Sequence, residues 1–156
     1  MRGLRRTVVS LLATALILPI VGLSPAAAVN IGNEGCTPGY WKNHTEDWQE
    51  YTTSSKLKFN FVLGEFAADI GDTTFLQALR FKGGSSDLDA ARLLLHHAAA
   101  AFLNAAHEGV GYPYRRFNDP GNIQQAVNDA LASSDRDTML EVKDWLDAAN
   151  NLGCPL

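Results

Sequence analysis

The chain has 156 residues, with 13 Lys and Arg against 17 Asp and Glu and a formal net charge of −4 at pH 7. This length fits a single domain that can bury a sizeable core. The acidic balance argues against nucleic acid or an anionic membrane surface as a partner.

The first 28 residues have the pattern of a secretory signal peptide. Three arginines lead into an apolar run over residues 7–23, and the small residues 24–28 match a cleavage site that ends at Ala28. The alternative, a membrane anchor, fits poorly because the run is short. We therefore expect bacterial export of one domain, residues 29–156, without a membrane anchor. Cleavage would remove the three arginines of the signal. The mature chain would then have ten basic and 17 acidic residues, a net charge of about −7.

Two cysteines stand at the ends of this mature chain. Cys36 lies near its start and Cys154 lies two residues from its end. In an exported protein such a pair predicts a disulfide that closes the whole domain. The alternative is two unrelated free thiols.

The first half of the mature chain predicts short helices. One is expected over residues 46–51, with Asn43 or Thr45 as its cap. Residues 57–61 alternate between apolar and polar and could be extended, whereas residues 63–70 are typical of a short helix.

A long apolar helix is predicted in the middle of the chain, after a shorter helix over residues 73–82. Ser86 and Asp89 stand where a capping box would start it, and Gly109 stands where a left-handed cap would end it. Apolar residues cover most of the surface of the predicted helix, about residues 87–108, so other helices should surround it. The expected fold is an all-α compact bundle around this central helix.

Two more helices complete the predicted bundle. Asp119 and Pro120 have the character of an N-cap and a first helical residue, and Ser134 with Asp137 is expected to start the last helix. The chain then ends shortly after this last helix.

Residues 36–44 form a specific motif, which we call the box, and its sequence is Cys-Thr-Pro-Gly-Tyr-Trp-Lys-Asn-His. The box resembles that of a group of uncharacterised exported bacterial proteins. Their domain continues through an Ala-rich helix and a Tyr-Pro loop to a final Gly-Cys-Pro, which match residues 100–106, 112–113 and 153–155. Many of them have Pro after the box His, where this chain has Thr45. The resemblance implies compartment and architecture, and no catalytic residues.

The box offers groups that could bind a ligand. They are two large rings, a cation, an amide and an imidazole, supplied by Tyr40, Trp41, Lys42, Asn43 and His44. A functional interpretation makes them a platform for a sugar or a peptide. The structural interpretation makes Trp41 a core anchor, packed beside the disulfide against Trp145 and Leu146 of the last helix.

The histidines do not predict a metal site. His96 and His97 are adjacent and diverge by about 100° on a helix, while His96 and His107 lie roughly 16 Å apart. A site would need His44 to approach the central helix, with a carboxylate such as Asp47. No nucleophile or phosphate-loop motif is present either.

Residues 112–117 form a cationic, aromatic loop in an acidic protein. Tyr114 and Arg115 are its candidate ligand-binding residues, although the aromatic rings could instead cover the end of the bundle.

The sequence thus favours an exported, non-catalytic structural or binding module for a protein, peptide or glycan at the cell exterior, without a cofactor. The alternative is a small secreted enzyme or metal-binding protein that uses His44 with residues of the central helix.

Overall fold

The structure, a computed structural model, describes residues 32–156. The predicted signal peptide and its cleavage site lie outside the described residues. The described part contains six α-helices and no β-strand: α1 Pro38–Asn43, α2 Ala67–Ile70, α3 Phe75–Ala78, α4 Asp87–Ala106, α5 Ile123–Ser133 and α6 Arg136–Asn150. Single 3-10 turns lie at Thr45–Asp47, Leu57–Phe59 and Gly64–Phe66. No helix in residues 32–156 combines the length and the apolar character needed to cross a membrane.

Helix α4 is the centre of the bundle, as predicted. The Ser86 side chain accepts the backbone N–H of Asp89 and the Asp89 carboxylate accepts that of Ser86, which completes the capping box. Most of α4 is buried, and α1, α3, α5 and α6 all pack on it. Its range is close to the predicted one of about residues 87–108, but Gly109 is not its cap, because His107 already has an extended backbone (φ −85°, ψ 122°).

The box itself forms the first helix. Helix α1 begins at Pro38, and the Thr37 hydroxyl oxygen accepts the Tyr40 N–H at 3.1 Å. Proline suits this position because its missing N–H would have no partner inside the helix. The helix predicted over residues 46–51 is therefore wrong, and so are its caps; the turn Thr45–Asp47 stands there instead.

The segment between α1 and α4 is built from short turns. Residues 57–61 are not extended, because Leu57–Phe59 forms a 3-10 turn. The short helix predicted over residues 63–70 forms over residues 64–70, as the turn Gly64–Phe66 followed by α2, and α3 is shorter than residues 73–82. Thr74 caps α3 through a capping box with Gln77.

The last two helices form as predicted, but with different caps. Asn122, rather than Asp119, caps α5 by accepting an N–H of its first turn, so Pro120 lies before the helix. Asp135 caps α6 in the same way. Ser134 adopts the left-handed conformation (φ 51°) that ends α5 and does not start α6.

The two ends of the domain meet, and the predicted disulfide is confirmed. Cys36 and Cys154 are bonded, with their Cα atoms 4.4 Å apart. Beside them the Gly35 N–H donates to the Gly153 carbonyl at 3.0 Å. A Cβ atom on Gly35 would lie 2.1 Å from the Ala149 carbonyl oxygen. Only glycine therefore fits at this position, where the backbone passes against α6.

Candidate functional site

Trp41, the largest ring of the box, is completely buried. Its indole N–H donates to Asn104 of α4 at 3.0 Å, and its carbonyl accepts the indole N–H of Trp48 at 2.9 Å. Tyr40 contacts it edge-on at 5.3 Å between ring centroids. Trp41 is thus a core anchor held on α4, whereas Trp145, its expected partner, packs against Tyr114 at 4.4 Å.

A buried asparagine links the box to the centre of the bundle. The side-chain oxygen of Asn104 accepts the backbone N–H of Cys36 at 2.8 Å as well as the Trp41 indole N–H. Its amide nitrogen donates to the Cys36 carbonyl at 2.9 Å and to the Asn150 side-chain oxygen at 3.0 Å. All four hydrogen-bonding positions of this side chain are therefore used, as burial requires.

Asn150 extends this network to α6 and to the Tyr-Pro loop. Its side-chain oxygen also accepts the Tyr112 hydroxyl at 2.9 Å, and its amide nitrogen donates to the His97 carbonyl at 3.0 Å. Burial raises the pKa of Tyr112, which keeps this hydroxyl protonated as a donor. We call Cys36, Trp41, Asn104, Tyr112 and Asn150 the buried clasp.

The exposed edge of the box carries the other candidate residues. The ring of His44 stacks on Tyr40 at 4.4 Å, and the Tyr40 hydroxyl donates to Asp47 at 2.5 Å. This hydrogen bond, helped by burial, raises the pKa of Tyr40 to about 12. Asn43 and His44 are exposed, and Lys42 is half-buried.

The four histidines do not gather at one point, although the neighbouring rings of His96 and His97 meet edge-on with their centroids 4.9 Å apart. His44 stays on the box edge, while the His96 ring lies 3.2 Å from the Ala78 carbonyl and His107 packs beside Trp41. Residues 32–156 contain no group of three His, Cys, Asp or Glu side chains that could hold a metal ion. Within these residues His44 is therefore not part of a metal-ligand group with the histidines of α4.

His97 is the histidine with an unusual environment. Its side chain is 10% exposed, and its Nδ1 atom has no hydrogen-bond partner within the described part of the chain. The nearest carboxylate oxygen, on Asp147 of α6, lies 3.6 Å away, beyond hydrogen-bonding range. Burial lowers the pKa of His97 to about 4 against the opposing effect of Asp147, so the ring is neutral at neutral pH.

Tyr114 and Arg115 lie in a groove beyond the C-terminal end of α4, which we call the α4-end groove. Its volume is about 610 Å³, and its walls are residues 105–112, residues 114–118 and Glu34. Tyr112 and Phe117 join Tyr114 as aromatic walls. The loop that the sequence singled out therefore does shape a concave surface.

The two arginines of this loop are already paired, which corrects its interpretation as a cationic edge. The Nε atom of Arg115 lies 2.8 Å from an Asp119 oxygen. Arg116 makes a bidentate pair with Glu50 at 2.7 and 2.9 Å and also donates to the Tyr51 hydroxyl. Both charges are thus compensated by carboxylates that the motif itself did not indicate.

Glu34 is a groove residue that the sequence did not single out. Its backbone N–H donates to the Gly111 carbonyl at 3.0 Å, and its carboxylate accepts the Gly111 N–H at 2.7 Å. Gly32 also lies close to Gly111, where a Cβ atom would sit 2.6 Å from a carbonyl oxygen. Residues 32–34 are thereby fixed along the groove, and one carboxylate oxygen of Glu34 is held in place.

A second, larger depression lies on the short-turn segment. Its volume is about 1150 Å³, and residues 61–64 and Phe81 contribute to its walls. Phe59 and Val62 are 78% and 67% exposed in this segment. Its ionic groups include Lys58 and Asp72, which lie 2.9 Å apart, and the same Asp72 oxygen also pairs with Lys56 at 2.7 Å.

Comparison with known proteins yields no match: no family model, no curated protein and no solved structure is similar to this chain. The resemblance of the box to exported bacterial proteins stays a prediction.

Proposed function

We propose that this protein is an exported, non-catalytic binding module whose box is scaffold and whose binding surface is the α4-end groove. The observation that carries the proposal is the composition of this groove. It combines aromatic walls with a carboxylate whose position is fixed by hydrogen bonds, at Tyr114 and Glu34. Ligand sites in proteins are typically concave, largely apolar and furnished with a few fixed polar groups.

The buried clasp supports the assignment of the box to the scaffold. Trp41 is inaccessible, and its indole N–H is already bonded to Asn104. The accessible edge of the box is formed by exposed Gly39, Asn43 and His44, with half-buried Tyr40 and Lys42. This edge projects few groups, and its aromatic member, Tyr40, is covered on one face by His44.

Export is the second part of the proposal. It is supported by the signal pattern of residues 1–28 and is compatible with the Cys36–Cys154 disulfide, since such bonds persist in oxidising compartments. Expression of the full chain in an exporting bacterial host, followed by intact mass measurement of the secreted product, tests it. We expect a mature chain beginning at Val29; a product that keeps residues 1–28 would contradict the proposal.

Nuclear magnetic resonance with a diverse fragment library tests the binding surface, because fragments reveal sites without a known ligand. We expect shift changes in the backbone amides of residues 105–118 and Glu34. Changes confined to residues 40–44 would return the site to the box, and changes confined to residues 58–73 would move it to the larger depression. Either result, or no binding anywhere, contradicts the proposed site.

A further inference from the structure

We propose that the α4-end groove recognises a primary ammonium group, with Glu34 as its principal carboxylate. This inference rests on the proposed function, because it names the ligand chemistry of the same groove. Four lining residues carry formal charges at neutral pH, namely Glu34, Glu108, Arg115 and Arg116. Asp119 and Glu50 compensate the two arginines, whereas neither glutamate has an ion pair within residues 32–156. The groove therefore presents two uncompensated negative charges.

The end of helix α4 adds to this negative potential. Peptide dipoles along a helix sum to a partial negative charge at its C-terminus, where cations are favoured. Helix α4 has 20 residues, and its last two, Ala105 and Ala106, line the groove. The carbonyls of Leu103 and Asn104 accept the His107 N–H, whereas those of Ala105 and Ala106 accept none from the described residues.

Glu34 is pre-organised for this role. The Gly111 N–H holds its Oε2 atom at 2.7 Å, while Oε1 has no hydrogen-bond partner among the described residues. A carboxylate that is fixed before binding loses little side-chain freedom when a ligand arrives. A primary ammonium carries three N–H donors, which suit an array of carboxylate and carbonyl oxygens better than a quaternary ammonium without donors.

The aromatic walls suit the carbon stem of such a ligand and the cation itself. Tyr114 is half-buried, and its ring is fixed against Trp145. Phe117 is already engaged by the Arg116 guanidinium, 5.5 Å from its centroid, so Tyr114 is the aromatic wall available to a ligand cation. Free amines, lysine side chains and chain N-termini share this ammonium chemistry.

The test is a titration followed by nuclear magnetic resonance with three probes of similar size: n-butylammonium, butyrate and n-butanol. We expect n-butylammonium to shift residues 105–118 and to bind at least about tenfold more tightly than the other two probes, with an affinity that falls as salt rises. Nα-acetyl-lysine methylamide and glycinamide then distinguish a lysine side chain from a chain N-terminus.

Glu34→Gln should weaken n-butylammonium binding at least about fivefold. Glutamine keeps an oxygen for the Gly111 N–H, so the fold should be retained. The matched control is Glu65→Gln, an exposed carboxylate outside the groove, which should bind as the wild type does.

If Glu34→Gln binds n-butylammonium as tightly as the wild type does, or if n-butanol binds as tightly as n-butylammonium, the ammonium inference is overturned. Binding of fragments or n-butanol in the groove would still leave the binding module standing, whereas a groove that no probe or fragment perturbs removes both proposals.

Discussion

Asn104 joins helix α4 to three other residues through one side chain. It binds the backbone of Cys36, the indole of Trp41 and the side chain of Asn150, and all of these groups are buried. A buried polar group that loses its partner costs about 1–3 kcal/mol, and several would lose theirs together. The clasp should therefore depend strongly on this residue.

Asn104→Ala is expected to lower the free energy of unfolding by about 3–5 kcal/mol, because it leaves unpaired donors and a small cavity. Chemical denaturation measures the loss. Asn43→Ala, at an exposed asparagine of the box, is the matched control and should change stability by less than about 0.5 kcal/mol. A loss below about 1 kcal/mol for Asn104→Ala would show that the clasp does not hold the fold together.

His97 should make the stability of the protein depend on pH. Its pKa is lowered to about 4 in the folded protein, from about 6.5 when unfolded. Above pH 6.5 the ring is neutral in both states and contributes no pH dependence. As pH falls from 6.5 to 4, only the unfolded chain takes up this proton, so stability drops by at most about 3 kcal/mol.

Denaturation at pH 7 and pH 4 of the wild type and of His97→Gln measures this contribution. The variant should lose less stability than the wild type over this interval, by about 2–3 kcal/mol. His96→Gln is a control on the neighbouring ring, whose pKa burial lowers as well, so it should have a smaller effect in the same direction. If the wild type and His97→Gln lost the same stability between pH 7 and pH 4, His97 would not be the cause of the pH dependence.

The residues of the clasp and the groove could be predicted from sequence only in part. Asn104 interrupts the apolar run of residues 98–106, which is a visible signal of a buried polar group. Its partners are 46 to 68 residues away along the chain, so no local pattern identifies them. Glu34 gives no signal at all, because its role depends on the backbone of Gly111 across the fold.

At the scale of elements, α4 organises the core through Phe102. The Phe102 ring is fully buried and lies 4.6 Å from Phe61 and 5.5 Å from Phe117, which it meets edge-on. The alanines on α4, such as Ala98, let neighbouring helices approach closely. Large and small side chains therefore have distinct positions on this helix.

Phe102→Ala should cost about 3–5 kcal/mol, and Ala98→Leu should cost about 1–3 kcal/mol by overpacking. Both are measured by denaturant unfolding. Phe59→Ala removes an equal ring at a position that is 78% exposed, so it should be nearly neutral. If all three variants were equally stable, α4 would not be the core.

Local rules predicted the elements well where they act within one turn. Ser86 and Asp89 each accept the backbone N–H of the other, three residues apart, so the local sequence is enough to predict the start of α4. At α5 two nearby residues could cap. The choice of Asn122 depends on the preceding loop. There the Arg115 side chain pairs with Asp119, and the Arg115 carbonyl accepts the Ile123 N–H. These contacts lie in the loop before the helix, so a pattern confined to the cap and the first turn does not reveal them.

For the whole molecule, the disulfide closes a loop with a sequence separation of 118 residues. Loss of this link should lower the free energy of unfolding by about 4–5 kcal/mol, because the unfolded chain regains the entropy of an open loop. Cys36→Ala with Cys154→Ala, compared with the oxidised wild type, measures it. Two free thiols in the exported protein, detected by alkylation and mass measurement, would contradict the closure itself.

The fold class was predictable because helical periodicity and two terminal cysteines are properties of the sequence alone. The groove was not, because separate segments form it and one of its arginines pairs with a distant carboxylate. Glu50 is 66 residues away from Arg116. The sequence singled out the loop of residues 112–117, but not the carboxylates that pair with its two arginines.

The division of the molecule into a structural box and a separate groove is tested most directly by the stability of Trp41→Ala. Removal of this buried ring and its bond to Asn104 should lower the free energy of unfolding by about 3–5 kcal/mol. His44→Ala, on the exposed edge of the same box, should change it by less than about 0.5 kcal/mol. A Trp41→Ala protein as stable as the wild type that no longer binds any fragment would instead place the site in the box.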